Sequence, residues 1–422
     1  MSNAHGFSMP KGRMGLGLLV GLIAALALTL LPGVADAKGK GKKKGHQLTV
    51  MTRNLYLGAD LSPVLNAPGI NQAIDAGGQV VNQVHATKFP SVRAASLAAE
   101  IKKRKPDIVG LQEVSWWRTG PVNLDPNLVT NPTASTTDPL GGDFITELLN
   151  KLNKGKTKGK KGSAAAAKKG KKKKGGVRYV LAVIKTEFDA ELPVDDDPNG
   201  GEPLFGADHN ERLTMRDAIL VRKGAGVKFK NPTSGTFNTL LRVQLAGFLN
   251  IDVTRGWTAV DVKARGRSFH FVNTHLEAFD SSGSNTTNQG TTLGRGDIRA
   301  AQASQLVGPG GAANSTRPVI LLGDMNSDDD TVQPNGDRNA YMALTAGGFT
   351  ERSTANPLSC CLNDPFLVGG PNSINDFDHQ VDHVLANSGK VKFVKGFVDG
   401  RAPVNGLFPS DHAGLTSVLK IK

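Results

Sequence analysis

Short apolar runs that each stop on a polar side chain recur along this chain. They predict strands over residues 48–53 (LTVMTR), 107–112 (DIVGLQ), 179–184, 218–222, 258–262, 268–273, 319–322, 381–385, 391–397 and 415–421. Helical spacing predicts an amphipathic helix over 92–103 and another over 144–152, where Phe144, Leu148, Leu149 and Leu152 share one face. Two further helices are expected over 298–307 and 340–346. Many strands with few helices between them imply two packed sheets flanked by helices, not a singly wound parallel sheet. No short-period internal repeat is present.

The first 37 residues break this pattern. Lys11 and Arg13 precede an apolar run over 14–31, and Ala35-Asp36-Ala37 closes it with small residues. That order predicts a signal peptide at 1–37, cleaved after Ala37, and hence a secreted protein. An uncleaved anchor is the competing reading, because about 18 apolar residues reach spanning length. The glycines within the run and the cleavage site favour removal. A basic linker follows at 38–46, and the remaining 47–422 form one domain.

Charge changes the picture next. The chain carries 51 Lys and Arg against 37 Asp and Glu, a net charge of +14. Residues 151–176 hold 12 of those Lys and no acid, 38–44 hold 5, and the leader nets +1, which leaves the body near −4. The basic character therefore belongs to appendages. The 151–176 insert has a Lys, Gly and Ala composition that cannot bury a core and predicts a disordered loop. It is expected to hold nucleic acid or another polyanion by counterion release, or an anionic membrane surface by the same charge. No protein partner is expected. Nine acids over 187–211 follow it, read as an acidic loop able to screen the Lys run. Cys360 and Cys361, the only cysteines, read as two small half-buried side chains in a loop, because sequence neighbours do not reach ordinary disulfide geometry without backbone strain; a strained redox pair is the competing reading.

Candidate chemistry lies where the strands end. Asn54 closes VMTRN, Glu113 closes IVGLQE, His275 closes FHFVNTH, and Asp324 and Asn326 sit in VILLGDMN; Asp382 lies in QVDHVL, and Asp411 and His412 in PSDH. Taken singly, an Asp or Asn after a strand is an ordinary turn former. Together they are the inventory for metal-assisted phosphoester hydrolysis: oxygen ligands for a hard cation, and imidazoles that titrate near neutrality.

These motifs, in this order, resemble the endonuclease/exonuclease/phosphatase superfamily, which includes pancreatic-type deoxyribonuclease, abasic-site endonucleases, bacterial sphingomyelinases and inositol polyphosphate phosphatases. GDMN with a C-terminal SDH is the most specific part. The resemblance implies a four-layer α/β sandwich, two central mixed β-sheets flanked by helices. It implies a divalent cation, Mg²⁺ or else Mn²⁺ or Ca²⁺, held by Glu113 with Asn54 and Asp411. It implies Asp324 and Asn326 orienting water and phosphate, His412 as general base or electrostatic partner fixed by Asp382, and His275 on the phosphate or leaving group.

Tyr56 stands where abasic-site endonucleases carry a second carboxylate, and NLYL and THLEAFD look more like the sphingomyelinase segments. The expected activity is thus a secreted metal-dependent phosphodiester hydrolase with nucleic acid as favoured substrate. A sphingomyelinase-like lipid phosphodiesterase or phosphatase is the alternative, and a non-enzymatic polyanion-binding protein the third reading. Trp116 and Trp117 stay open between base stacking, a lipid interface and loop packing, and Asp297 of the GRGD stretch is expected to cap the following helix.

Overall fold

The computed structural model describes residues 47–154, 177–197, 206–279, 286–287, 290–291, 294, 296–329, 338–355, 357–370 and 373–422. The expected signal peptide, the basic linker up to residue 46 and residues 155–176 of the Lys-rich insert lie outside them.

In chain order the strands are β1 (Gln47–Asn54), β2 (Ile108–Gln112), β3 (Trp116–Gly120), β4 (Thr136–Thr137), β5 (Tyr179–Val194), β6 (His209–Arg222), β7 (Val227–Thr236), β8 (Leu241–Leu245) and β9 (Leu249–Val253). They continue as β10 (Gly256–Ala264), β11 (Arg267–His275), β12 (Thr286–Thr287), β13 (Val319–Asp324), β14 (Thr350–Glu351), β15 (Asp382–Ala386), β16 (Val391–Asp399) and β17 (Gly414–Ile421). The α-helices are α1 (Ser62–Leu65), α2 (Ile70–Thr87), α3 (Ala94–Arg104), α4 (Phe144–Asn153), α5 (Asp297–Val307) and α6 (Asn339–Ala346).

Two mixed sheets form the centre. One runs β16-β17-β1-β2-β6-β3-β4 with β5 paired to β6, and the other runs β14-β15-β13-β11-β10-β7. Their facing sides carry the continuous apolar runs of the sequence: Val50, Ile108, Ile219, Phe271, Ile320, Leu322 and Val384 are buried in one cluster. At roughly 1.5–3 kcal/mol per fully buried large apolar side chain, this cluster is a principal source of stability. The outer face of the first sheet packs on α2, α3 and α4 through Val84, Leu97, Phe144 and Leu148. The outer face of the second packs on α5 and α6 through Ala303, Leu306, Ala340 and Leu344. The result is the expected four-layer sandwich.

Three departures stand out. The helix expected over 92–103 starts as a π turn at Phe89–Arg93 and becomes α3 only at Ala94. The acidic stretch is only partly loop: residues 187–194 belong to β5 and 209–211 to β6, where Asp189 pairs with Arg212 at 2.6 Å and Glu187 with Lys185 at 2.9 Å. Asp297 is the first residue of α5, and Gly296 occupies the cap position at φ 81°.

Candidate active site

Register brings the polar strand ends to one rim. β1 and β2 run parallel with Asn54 opposite Gln112, so Glu113 follows directly beside Asn54. In the second sheet His275, Asp324 and Asp382 stand in one row across β11, β13 and β15. Gly323 has φ 150° and lies against the Thr274 backbone, where a side chain would collide, so glycine permits the β11–β13 approach that sets this row. Asp411 and His412 immediately precede β17, which is antiparallel to β1.

Across the rim the side chains converge. Asn54 Nδ2 donates to Glu113 Oε1 and to Asp324 Oδ2, both at 3.0 Å, while its Oδ1 accepts from the Tyr56 amide at 2.8 Å. Glu113 Oε2 accepts from the Leu57 amide at 2.6 Å. His412 Nδ1 lies 2.8 Å from Asp382 Oδ2, and its Nε2 lies 3.6 Å from Asp324 Oδ2. From the other side His275 Nε2 approaches the same Asp324 oxygen at 3.5 Å. Asn326, at φ 47°, spends its side-chain amide on the Leu276 carbonyl at 3.0 Å, and its backbone N–H donates to Asp324 Oδ1 at 2.9 Å.

The two histidines differ in charge state. Burial, reinforced by Arg255 and His412, holds the His275 pKa well below its ordinary value, so this ring is neutral. Arg255 Nη1 meets His275 Nδ1 at 3.2 Å, and because Arg only donates, the ring proton is assigned to Nε2. For His412 burial opposes protonation, but Asp382, Asp324 and Asp411 outweigh it and hold its pKa well above the ordinary value.

Several residues here escaped the sequence reading. Arg255 is buried beside His275, and burial is outweighed by Glu277, Glu113, Asp217 and Glu187, which keep it charged. Asp217 is fully buried with no hydrogen bond to either oxygen among the described residues, and burial together with Glu187 drives its pKa well upward. Two more buried arginines clamp the rim backbone. Arg53 donates to the His412 carbonyl, and Arg93 donates to the Leu55 carbonyl, to Tyr56 O at 3.0 Å and to Pro409 O at 3.1 Å. Arg53 lies inside VMTRN but next to the residue that motif singles out, and Arg93 has no motif to mark it.

Trp117 is buried and donates Nε1–H to Leu57 O at 2.8 Å, so it packs the loop behind Glu113. The Arg118 guanidinium covers the Trp116 ring at 3.9 Å. The Cys360 and Cys361 side chains lie against each other, and their sulfurs lie 3.9 and 3.7 Å from His412 Nε2.

The donor set fits a divalent cation. Glu113 and Asp411 line one cavity of about 320 Å³. Burial and the neighbouring Asp411 push the Glu113 pKa up to about 7, and burial likewise raises Asp411, as expected of carboxylates that lack a matching cation. Asp382 Oδ1 is buried without a hydrogen bond among the described residues, and ligand atoms of Asp324, Asp382 and His412 lie within 4.8 Å of one another. Asn54, expected among the ligands, bridges Glu113 and Asp324 through Nδ2, while its Oδ1 accepts from the Tyr56 amide and keeps a second lone pair.

Solved structures resemble this chain at low identity. An endonuclease/exonuclease/phosphatase from Beutenbergia cavernae is 18% identical over 89% of this chain and 72% of its own, with a TM-score of 0.47. A humanized D. rerio TDP2 is 14% identical over 89% and 99%, with a TM-score of 0.42. A mannosyl-6-phosphatase of Bacteroides thetaiotaomicron is 17% identical over 88% and 99%, with a TM-score of 0.41. No curated protein matches the sequence. Residues 88–412, which hold every strand-end residue above except Asn54, match the model of the Endonuclease/Exonuclease/phosphatase family. The chain belongs to this family of hydrolytic, generally divalent-metal-dependent phosphoesterases.

Proposed function

We propose that this protein is a secreted phosphodiester hydrolase that uses a divalent cation, Mg²⁺ in first place, and acts on nucleic acid. The observation that carries the reading is the convergence of His275 Nε2 and His412 Nε2 on one Asp324 oxygen, at 3.5 and 3.6 Å, beside Glu113.

Phosphodiesters are anions that repel a nucleophile, so the site must neutralise oxygen charge as it develops. Glu113 and Asp411 would hold the cation, which when bound supplies Lewis-acid stabilisation of phosphoryl oxygen. Neutral His275 offers an Nε2–H to a phosphoryl oxygen, with Arg255 fixing its tautomer. Asp324 is buried and its pKa is raised by that burial, which makes it a better proton acceptor for an attacking water than a solvated carboxylate. Protonated His412, oriented by Asp382, is suited to give its Nε2 proton to the leaving oxygen. Of the two roles expected from the sequence, general base or electrostatic partner, this reading keeps the charged one.

Substrate choice rests on the appendage: a body near −4 with a 12-Lys insert suits capture of a polyanion. A second reading, a lipid phosphodiesterase, is favoured by the apolar wall that Leu61, Phe279, Leu362 and Pro365 give the cavity beside Glu113.

Release of p-nitrophenol from bis-p-nitrophenyl phosphate, lost in EDTA and restored by Mg²⁺, tests the chemistry; no turnover, or turnover indifferent to EDTA, rejects it. Parallel assays on plasmid DNA, RNA and sphingomyelin vesicles decide the substrate, and only vesicle cleavage would hand the assignment to the lipid reading. Deleting residues 155–175 is expected to cut DNA affinity at low salt, and unchanged affinity would remove the insert from substrate capture.

A further inference from the structure

Two sulfurs face the His412 nitrogen that is assigned to the leaving oxygen, and the proposed chemistry gives them no task. Backbone pairing holds them there. The Ala413 amide donates to Ser359 O at 2.7 Å and the Leu362 amide to Asp411 O at 2.8 Å, so Cys360 and Cys361 lie directly across from His412. Cys360 Sγ is 3.9 Å and Cys361 Sγ 3.7 Å from His412 Nε2. A tetrahedral zinc, bound by sulfur at about 2.3 Å and by imidazole at about 2.1 Å, sets its S and N donors roughly 3.6 Å apart. Both sulfur–nitrogen spacings are close to that value, and the three donor atoms fall within 4.8 Å of one another.

The imidazole is arranged as a ligand as well as an acid. Asp382 Oδ2 occupies its Nδ1 at 2.8 Å, the carboxylate backing typical of zinc-binding histidines, and Nε2 is the nitrogen left facing the sulfurs. Cys361 is only partly buried, which gives an ion a way in, while Cys360 and His412 are buried. Thiolates and imidazole select Zn²⁺, whereas Mg²⁺ and Ca²⁺ take oxygen donors. This donor set therefore differs from Glu113 and Asp411 in the ion it prefers.

We propose that Cys360, Cys361 and His412, with both sulfurs as thiols, form an inhibitory zinc site that switches off His412. On binding, a proton from each thiol and the Nε2 proton of His412 leave to solvent, and the metal takes the freed lone pairs. The proton that His412 is assigned to deliver is then gone from that atom. Inhibition rests on the role proposed above for His412, whereas the binding of zinc does not.

The test is zinc counting on the phosphine-reduced full chain after equilibrium dialysis against Zn²⁺ in excess Mg²⁺, with turnover of bis-p-nitrophenyl phosphate measured on the same samples. Cys360→Ala and Cys361→Ala should each carry one zinc fewer per chain than the wild type. Co²⁺ in place of zinc should give the wild type a sulfur-to-metal charge-transfer band that Cys361→Ala weakens or loses. Without zinc both variants should turn over like the wild type. The zinc concentration that halves turnover should rise about tenfold or more in each, since losing a ligand costs at least as much affinity as losing an outer partner. A folded Cys361→Ala protein with the zinc content of the wild type overturns the site, and zinc bound through the thiols without loss of turnover overturns its inhibitory role. Should the wild type show no turnover even without zinc, the hydrolase reading fails, and the zinc count and the charge-transfer band still decide the site.

Discussion

Asp382 fixes His412: its Oδ2 lies 2.8 Å from Nδ1, and the opposite nitrogen of the ring is thereby directed at Asp324, 3.6 Å away. The two residues reach each other from different sheets, since Asp382 opens β15 and His412 precedes β17. The geometry of the rim therefore depends on how the sheets pack, and the core between them is part of the catalytic apparatus.

His412→Ala and Asp324→Ala should each lower kcat by about 10²-fold or more, the lower range for loss of an acid–base group. Asp382→Asn should lower kcat with little change in KM, because Asp382 acts through the His412 ring. Steady-state kinetics on a nitrophenyl phosphodiester measures all three, and near-normal rates in both alanine variants would dismantle the assignment.

Asp217 gives a prediction with a definite sign. Its pKa is raised in the folded protein by burial and by Glu187. A carboxyl raised on folding contributes stability that is fully present below its unfolded pKa and is lost as pH rises through the folded one. Asp217→Asn should therefore match the wild type near pH 4 and gain on it steadily toward neutral pH and above, in urea titrations at several pH values. A difference between the two that does not change with pH would mean that Asp217 is ionised in place.

What could be read from the sequence was whatever rests on uninterrupted apolar runs. β1, β2, β11, β13, β15 and β17 are buried on both sides, so their boundaries and the polar residues closing them stand out. The outer half of the β5–β6 pair was hidden because its stability comes from charged partners, such as Asp189 with Arg212, which look like a solvated loop in one dimension. Helix α2 was missed for a related reason. Gly77 and Gly78 sit at its centre, where a side chain would collide with Val194 and with the Asp195 backbone. Glycine there is set by a contact distant in sequence, against helical propensity. Arg255 and Asp217 have meaning only through neighbours on other strands.

Asp399 joins two elements at the edge of the first sheet. It accepts from Arg104 Nε and Nη2, the latter at 2.9 Å, and from Lys103 Nζ at 3.0 Å, tying α3 to the end of β16. Burial pushes its pKa up, but these cations outweigh burial and hold it below the ordinary value. Its stabilisation is present above the unfolded pKa and lost as pH falls through the folded one. Asp399→Asn should cost about 1 kcal/mol at pH 7 after allowing for solvent screening, and almost nothing near pH 2, as followed by urea unfolding.

Metal binding should be visible without turnover. In the metal-free protein Glu113 is buried beside Asp411, with its pKa pushed up to about 7, so at pH 8 two carboxylates repel in one cavity. A cation that binds only the folded chain stabilises it by about 2.7 kcal/mol at a hundredfold excess over Kd. For a domain of this size that corresponds to a rise of roughly 2–4 °C in melting temperature. Mg²⁺ at pH 8 should produce such a rise in the wild type. Glu113→Gln removes one of the repelling charges, so it should melt higher than the wild type in EDTA and respond little to Mg²⁺. The opposite result, a variant that melts lower in EDTA yet keeps the full Mg²⁺ response, would place the cation away from Glu113.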